Sequence, residues 1–154
     1  MISPEAASEL IDALRGVVLR SRAVAAGQQS AGALPPPLGA LLTRIECSAG
    51  HRPSALAEEL WVTQSALSRQ VAQAEALGYV QRHPDPLDGR AALLSLTEAG
   101  AEALRRHREM RARWVHTALA DWTEDEVGDL TARLDRFCAA IEAGANHPVT
   151  PAGR

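Results

Sequence analysis

The chain contains no lysine: its 16 basic residues are all arginine, and with 19 acids they leave a formal net charge of −3. The missing lysine is most simply a bias of the genome. The acidic balance is unusual for a nucleic-acid binder judged as a whole. Cysteine is nearly absent too: Cys47 and Cys138 are too few and too far apart for a disulfide scaffold or a metal cluster. The histidines His51, His83, His107, His116 and His147 are scattered, with no HExxH and no CxxC, so metal catalysis lacks a ligand set. GxSxG and a Gly-rich phosphate loop are missing, and Ser65 and Ser68 have no nearby base in sequence, so an enzyme is not expected. No cofactor is called for. Long apolar runs and a signal-peptide layout are likewise lacking, which leads us to expect a cytoplasmic protein. No internal repeat occurs. At 154 residues and 46% hydrophobic, the chain can bury a core as one domain spanning residues 1–154.

Organisation is concentrated between Ser54 and Gly100. Leu56, Ala57 and Leu60 recur at helical spacing. After a three-residue break, Leu67, Val71, Ala74 and Leu77 do so over three turns. Thr63 is a good N-cap for this second helix, and Gly78 stops it where a left-handed residue costs least. The outer face left over carries Gln64, Ser65, Ser68, Arg69 and Gln73, all able to donate or accept hydrogen bonds. Such a face is either ordinary solvated surface or, after a helix-turn, a tool for reading base edges in a major groove. Position favours the second. Residues 79–82 and 91–96 read as two short strands, and His83 to Arg90 as a loop in which Pro84, Pro86 and Gly89 forbid regular structure.

Helix, turn, helix and hairpin together make a winged helix. The segment resembles the MarR (multiple-antibiotic-resistance regulator) family of bacterial regulators. The matching residues are Leu56 to Leu60, Leu67-Ser68-Arg69, Leu77 to Val80, Arg82, the Asp88-Gly89-Arg90 tip and Leu96 to Gly100. Each piece is common; the ordered set over about fifty residues is specific. The resemblance implies a mainly α fold with a small β-wing, in which 36–96 is the winged helix-turn-helix and long terminal helices form a dimerisation region. It implies a homodimer on a pseudo-palindromic double-stranded operator, and a repressor relieved by a small aromatic or anionic effector. An alternative of another class is a winged-helix protein that works through protein contacts without DNA.

The flanks fit. Residues 3–26 form a helical pattern begun by Ser3-Pro4-Glu5, with Leu10, Leu14, Val17, Val18 and Val24 as its stripe. After Pro35-Pro36-Pro37, a shorter helix carries Leu38, Leu41, Leu42 and Ile45 and closes near Gly50. Thr97 caps a helix to about Leu119, and Thr123 to Glu126 is a capping box for one ending near Ala143. Its stripe is Val127, Leu130, Leu134, Phe137 and Ile141. The dimerisation region is therefore 3–26 and 97–145. A helical cap within one chain is the other reading.

Even the reading module is locally acidic, with four arginines against six acids in residues 51–100. DNA feels only the facing surface. We expect Thr63, Gln64, Ser65, Ser68, Arg69, Gln73 and Arg82 there, together with Asp88 and Arg90, while Glu58, Glu59 and Glu75 lie behind. Arg90 is either a soluble loop tip or a minor-groove probe. Asp88 is either turn chemistry or an anchor for a neighbouring arginine. Trp61 stands where the family often has Gly. An indole cannot take a left-handed cap cheaply, so the turn should differ slightly or the helix before it should run on; otherwise Trp61 should cover the core or line a ligand cavity. Cys47 and Cys138 should be buried as small hydrophobes. Peroxide-sensing relatives place a reactive cysteine near the start of the first helix, with tyrosines nearby. Here that region has no cysteine and the sole tyrosine is Tyr79. Arg15, Arg22 and Arg113 are candidate partners for a phenolic or carboxylate effector.

Overall fold

The computed structural model describes residues 2–30, 33–47, 53–85 and 92–145. They run α1 (Pro4–Ser30), α2 (Pro36–Cys47), α3 (Pro53–Glu59), α4 (Gln64–Ala76), β1 (Val80–Pro84), β2 (Ala92–Leu96), α5 (Glu98–Ala118) and α6 (Glu124–Ala145). Contacts divide the chain into two units within α5, between Ala112 and Arg113.

The first unit is built on leucine. Leu38, Leu41 and Leu42 of α2, Leu56 of α3, Leu67 and Val71 of α4, Leu94 of β2 and Leu104 of α5 are all fully buried against one another. Burying each such side chain is worth about 1.5–3 kcal/mol, enough for this small unit to hold three short helices and a hairpin together. Helix starts follow local chemistry. Ser3 Oγ accepts the Ala6 N–H at 3.1 Å, and Pro4 fills the first turn, where its missing N–H costs nothing. α1 continues past residue 26 to Ser30, because one glycine, Gly27, is a weaker breaker than proline. The prolines before α2 do not end at its border: Pro36 and Pro37 form its first turn, and the Gly39 N–H reaches the Pro35 carbonyl at 2.9 Å. The expected closure at Gly50 lies outside the described residues.

β1 and β2 pair antiparallel from Val80↔Leu96 to Pro84↔Ala92. The first strand is therefore longer than the sequence suggested, since His83 and Pro84 belong to it. Each strand of a two-stranded ribbon has only one partner, so a residue without an N–H is tolerated at its end. His83 Nε2 and Ser95 Oγ meet at 2.7 Å across the ladder. Tyr79, expected to open the strand, precedes it. Asp88, Gly89 and Arg90 lie outside the described residues.

Thr97 locks the wing to the helices. Its N–H donates to the Tyr79 carbonyl at 3.0 Å and its hydroxyl to the Gly78 carbonyl at 2.5 Å, while its oxygen accepts the Gly100 N–H at 3.0 Å as the cap of α5. A Cβ on Gly100 would stand 2.0 Å from the Tyr79 oxygen. The Thr97-to-Gly100 motif is thus the geometry of one close crossing.

The second unit holds the end of α5 and α6. The capping box forms as read: Thr123 N–H donates to Glu126 Oε2 at 2.8 Å, and Glu126 N–H donates to Thr123 Oγ1 at 3.2 Å. The Thr123 N–H first, and then its hydroxyl, which also donates to Glu126 Oε2 at 2.9 Å, hold the Glu126 carboxyl below its ordinary range. Leu130, Leu134 and Ile141 are exposed along α6, as are Leu10, Val17 and Val18 along α1. Cys47 and Cys138 are both exposed, against the expectation of burial. No described helix is long and apolar enough to cross a membrane.

Candidate nucleic-acid interface

α4 is held from beneath and bare above. Leu67, Val71 and Ala74 are buried, while Gln64, Ser65, Ser68, Arg69 and Gln73 are exposed along the outer face. Thr63 is the N-cap, its extended backbone aiming Oγ1 at the Ala66 N–H, 3.2 Å away, and at Ser65 Oγ, 3.1 Å away. A cap of this kind contributes about 1 kcal/mol, and it fixes where Ser65 points. Leu77, expected in the apolar stripe, is instead the half-exposed C-cap, because the helix turns away one residue before its next buried position.

Arg82 was expected to face the duplex with Glu75 behind it. The two are in fact bonded: Arg82 Nε donates to Glu75 Oε1 at 2.6 Å and Nη2 to Oε2 at 3.2 Å. The hydrogen bond to Glu75 raises the guanidinium further above its ordinary range. Arg82 and Glu75 remain 46% and 32% exposed, so the pair is a bridge at the surface rather than a buried clamp. It ties the end of the reading helix to the wing and cancels a charge. Glu75 lies on α4 and Arg82 on β1, so only the turn between the two elements brings them together, which is why the sequence did not reveal the pair.

The turn before α4 departs most from expectation. Trp61 takes a left-handed conformation with φ 54° and is 77% exposed, so it neither avoids the strained position nor covers the core. Two hydrogen bonds impose this: Trp61 N–H to the Glu58 carbonyl at 3.1 Å and Val62 N–H to the Ala57 carbonyl at 3.0 Å. The same pair of bonds closes α4, from Gly78 to Glu75 and from Tyr79 to Ala74, at 2.9 Å each. Both are Schellman closures, but only one uses glycine. The left-handed backbone costs a non-glycine residue about 1–2 kcal/mol. The second packing residue, Val62, explains why the motif forms anyway, since it sits against the core.

An open cleft of about 600 Å³ is lined by α2, α5 and Leu60, with Gly39, Thr43, Arg44, His107, Arg108 and Arg111 among its walls. His107 is buried, and its Nε2 would lie 2.9 Å from a Cβ on Gly39, so the glycine makes room for the ring. Its Nδ1 is buried without a hydrogen-bond partner among the described residues. Burial first, then Arg111 and Arg108, push the imidazole below its ordinary value. Arg44 pairs with Glu59 at 3.2 Å and Arg108 with Glu46 at 2.6 Å. Of the three arginines expected around an effector, Arg15 pairs with Asp12 at 2.9 Å, and Arg22 and Arg113 are exposed; none lines this cleft. His107 and Gly39 were missed as a pair because only the packing of α5 on α2 brings them together.

The comparisons agree with this geometry. A sequence model described as MarR family matches residues 38–91. An HTH-type transcriptional regulator of Mycobacterium bovis is 32% identical over 101 residues, covering 66% of this chain and 71% of that protein. A solved variant of Escherichia coli MarR complexed with operator DNA is 26% identical with a TM-score of 0.67, over 84% of this chain and 95% of that one. The PcaV regulator of Streptomyces coelicolor, solved with its natural ligand, is 26% identical with a TM-score of 0.59, over 70% and 77%. A capped, polar-faced helix, a two-stranded wing and relatives of this kind place the chain in the MarR family of winged helix-turn-helix transcriptional regulators.

Proposed function

We propose that this chain is a homodimeric repressor, neither enzyme nor membrane protein, that acts in the cytoplasm on a pseudo-palindromic operator. Residues 36–96 form the DNA-binding module. The regions 3–26 and 97–145 join it to a second copy. The observation that carries the reading is the bare polar face of α4 on its buried Leu67, Val71 and Ala74 footing. In this reading Gln64, Ser65, Ser68, Arg69 and Gln73 meet base edges and phosphates in the major groove. Thr63 fixes their register, Arg82 approaches the backbone beside them, and Asp88 and Arg90 serve at the wing tip. The exposed stripes of α1 and α6 support the dimer, since apolar side chains in helical register call for a cover. A small carboxylate or phenolate would relieve repression from the cleft between α2 and α5, where Arg111 and the His107 ring stand among the walls.

The test is a titration of the full chain on the DNA upstream of its own gene, with the salt concentration varied. Specific binding should weaken as salt rises, with a slope set by the few phosphates the arginines contact. Arg69→Ala should cost about 1–3 kcal/mol and relax preference at one position per half-site if Arg69 bonds a base bidentately. No binding of any duplex at low salt would refute the reading in favour of protein contacts alone.

A further inference from the structure

We propose that Trp61 contacts the DNA backbone, with the indole lying on the sugar face beside the groove that α4 enters and its Nε1–H donating to a phosphate oxygen. The inference rests on the DNA-binding reading above and adds to it a residue type and a role. Trp61 holds a strained left-handed backbone at φ 54°, yet its side chain is 77% exposed and gains little from the core. Gly78 occupies the matching position of the same hydrogen-bonded closure at φ 71° without that strain. One molecule thus carries both the relaxed and the strained solution to one problem. The packing of Val62 accounts for the turn itself, but not for an indole rather than a hydrogen at its left-handed position.

Its place supplies an occupant. Trp61 stands two residues before Thr63, at the N-terminal end of α4, whose positive dipole favours an anion. Ser65 and Gln64, on the same first turn, are exposed. The chemistry fits a chain that is short of cations. The net charge is −3, and Arg82 is already bonded to Glu75. A neutral donor on an apolar plate can touch both deoxyribose carbons and a phosphate oxygen. Being neutral, it displaces no counterion, so it adds affinity without steepening the salt dependence.

The experiment measures thermal stability and duplex binding for the full chain, wild type beside Trp61→Gly and Trp61→Phe, on DNA from upstream of its own gene. Trp61→Gly relieves the strain and should raise Tm by about 2–6 °C. The same substitution should weaken DNA binding roughly five- to thirtyfold, with the slope of log affinity against log salt unchanged. Trp61→Phe should keep the wild-type Tm and lose part of the affinity, since it keeps a plate and loses the donor. With Trp114 and Trp122 replaced by Phe, the remaining indole should change emission when duplex is added. Opposite signs for stability and binding are the signature, because a residue with a purely structural role would lose both or neither. Wild-type binding retained in full by Trp61→Gly, or an emission that ignores the duplex, overturns the inference. Failure of the wild type to bind any duplex would instead strike the DNA-binding reading itself.

Discussion

Replacing Glu75 by Gln should make this protein a better DNA binder with almost no change in its stability. The pair it belongs to is bidentate, but Arg82 and Glu75 are 46% and 32% exposed, so water screens much of the attraction. Exposed bridges of this kind contribute about 0–1 kcal/mol, which for a chain of this size is at most about 2–4 °C in Tm. The effect on binding is of another kind. Glu75→Gln removes one negative charge from beside α4 and leaves Arg82 its full positive one. If the freed guanidinium takes up one phosphate, the slope of log affinity against log salt should steepen by about 0.9. A charge-assisted contact worth roughly 1 kcal/mol after side-chain ordering would tighten binding about fivefold at low salt. Arg82→Ala should move the other way, with weaker binding and a shallower slope. Fluorescence anisotropy of a labelled duplex across about 50–200 mM salt separates these lines. Parallel lines of equal height for all three proteins would remove Arg82 from the interface. Weaker binding by Glu75→Gln at unchanged slope would refute the charge argument and make Glu75 a residue that positions Arg82.

Three further outcomes follow from the packing. Gly100→Ala puts a methyl 2.0 Å from the Tyr79 carbonyl oxygen, so the crossing of α5 over the wing must open. Calorimetry should show a loss of about 1–3 kcal/mol, and an unchanged Tm would mean the crossing yields freely. His107 titrates in the folded chain below its ordinary value, through burial first and then Arg111 and Arg108. The unfolded chain therefore takes up the proton first, so the contribution of His107 is whole above about pH 6.5 and lost as pH falls toward the folded value. Tm measured across that window should fall with acid more in the wild type than in His107→Leu, and equal slopes would refute the assignment. Leu134→Glu places a charge in the exposed stripe of α6, and sedimentation should show a monomer that binds duplex poorly; an intact dimer would exclude that stripe from the interface.

What was legible in the sequence was whatever chemistry acts between near neighbours. Thr63 and Thr123 cap where a hydroxyl precedes a helical pattern, and Gly78 stops α4 because no other residue takes φ 71° as cheaply. Leu67, Val71 and Ala74 are buried because their spacing leaves them no alternative once the opposite face is polar. The misreadings arose where a distant contact outweighed a local preference. Trp61 adopts the conformation its own backbone resists, because two hydrogen bonds and the burial of Val62 outweigh about 1–2 kcal/mol of strain. Pro84 joins a strand because the ribbon offers it a free edge. Cys47 and Cys138 were expected inside on residue type alone, which says nothing of the face they occupy.

The same distinction bears on how an acidic chain reads an acidic polymer. Formal charge counts Glu75 and Arg82 separately, yet they form one neutral bridge whose guanidinium is still half exposed. Glu59 is likewise turned to Arg44, and Glu46 to Arg108, on the α2 side of the module. What α4 presents outward is then nearly neutral apart from Arg69, with four further side chains that bond without charge. Such a surface draws less on counterion release and more on directed hydrogen bonds. These discriminate between bases, where charge alone would hold any duplex. Weak attraction to bulk DNA and a modest salt slope are the consequence, and the single arginine on the reading helix becomes the side chain whose removal should be felt most.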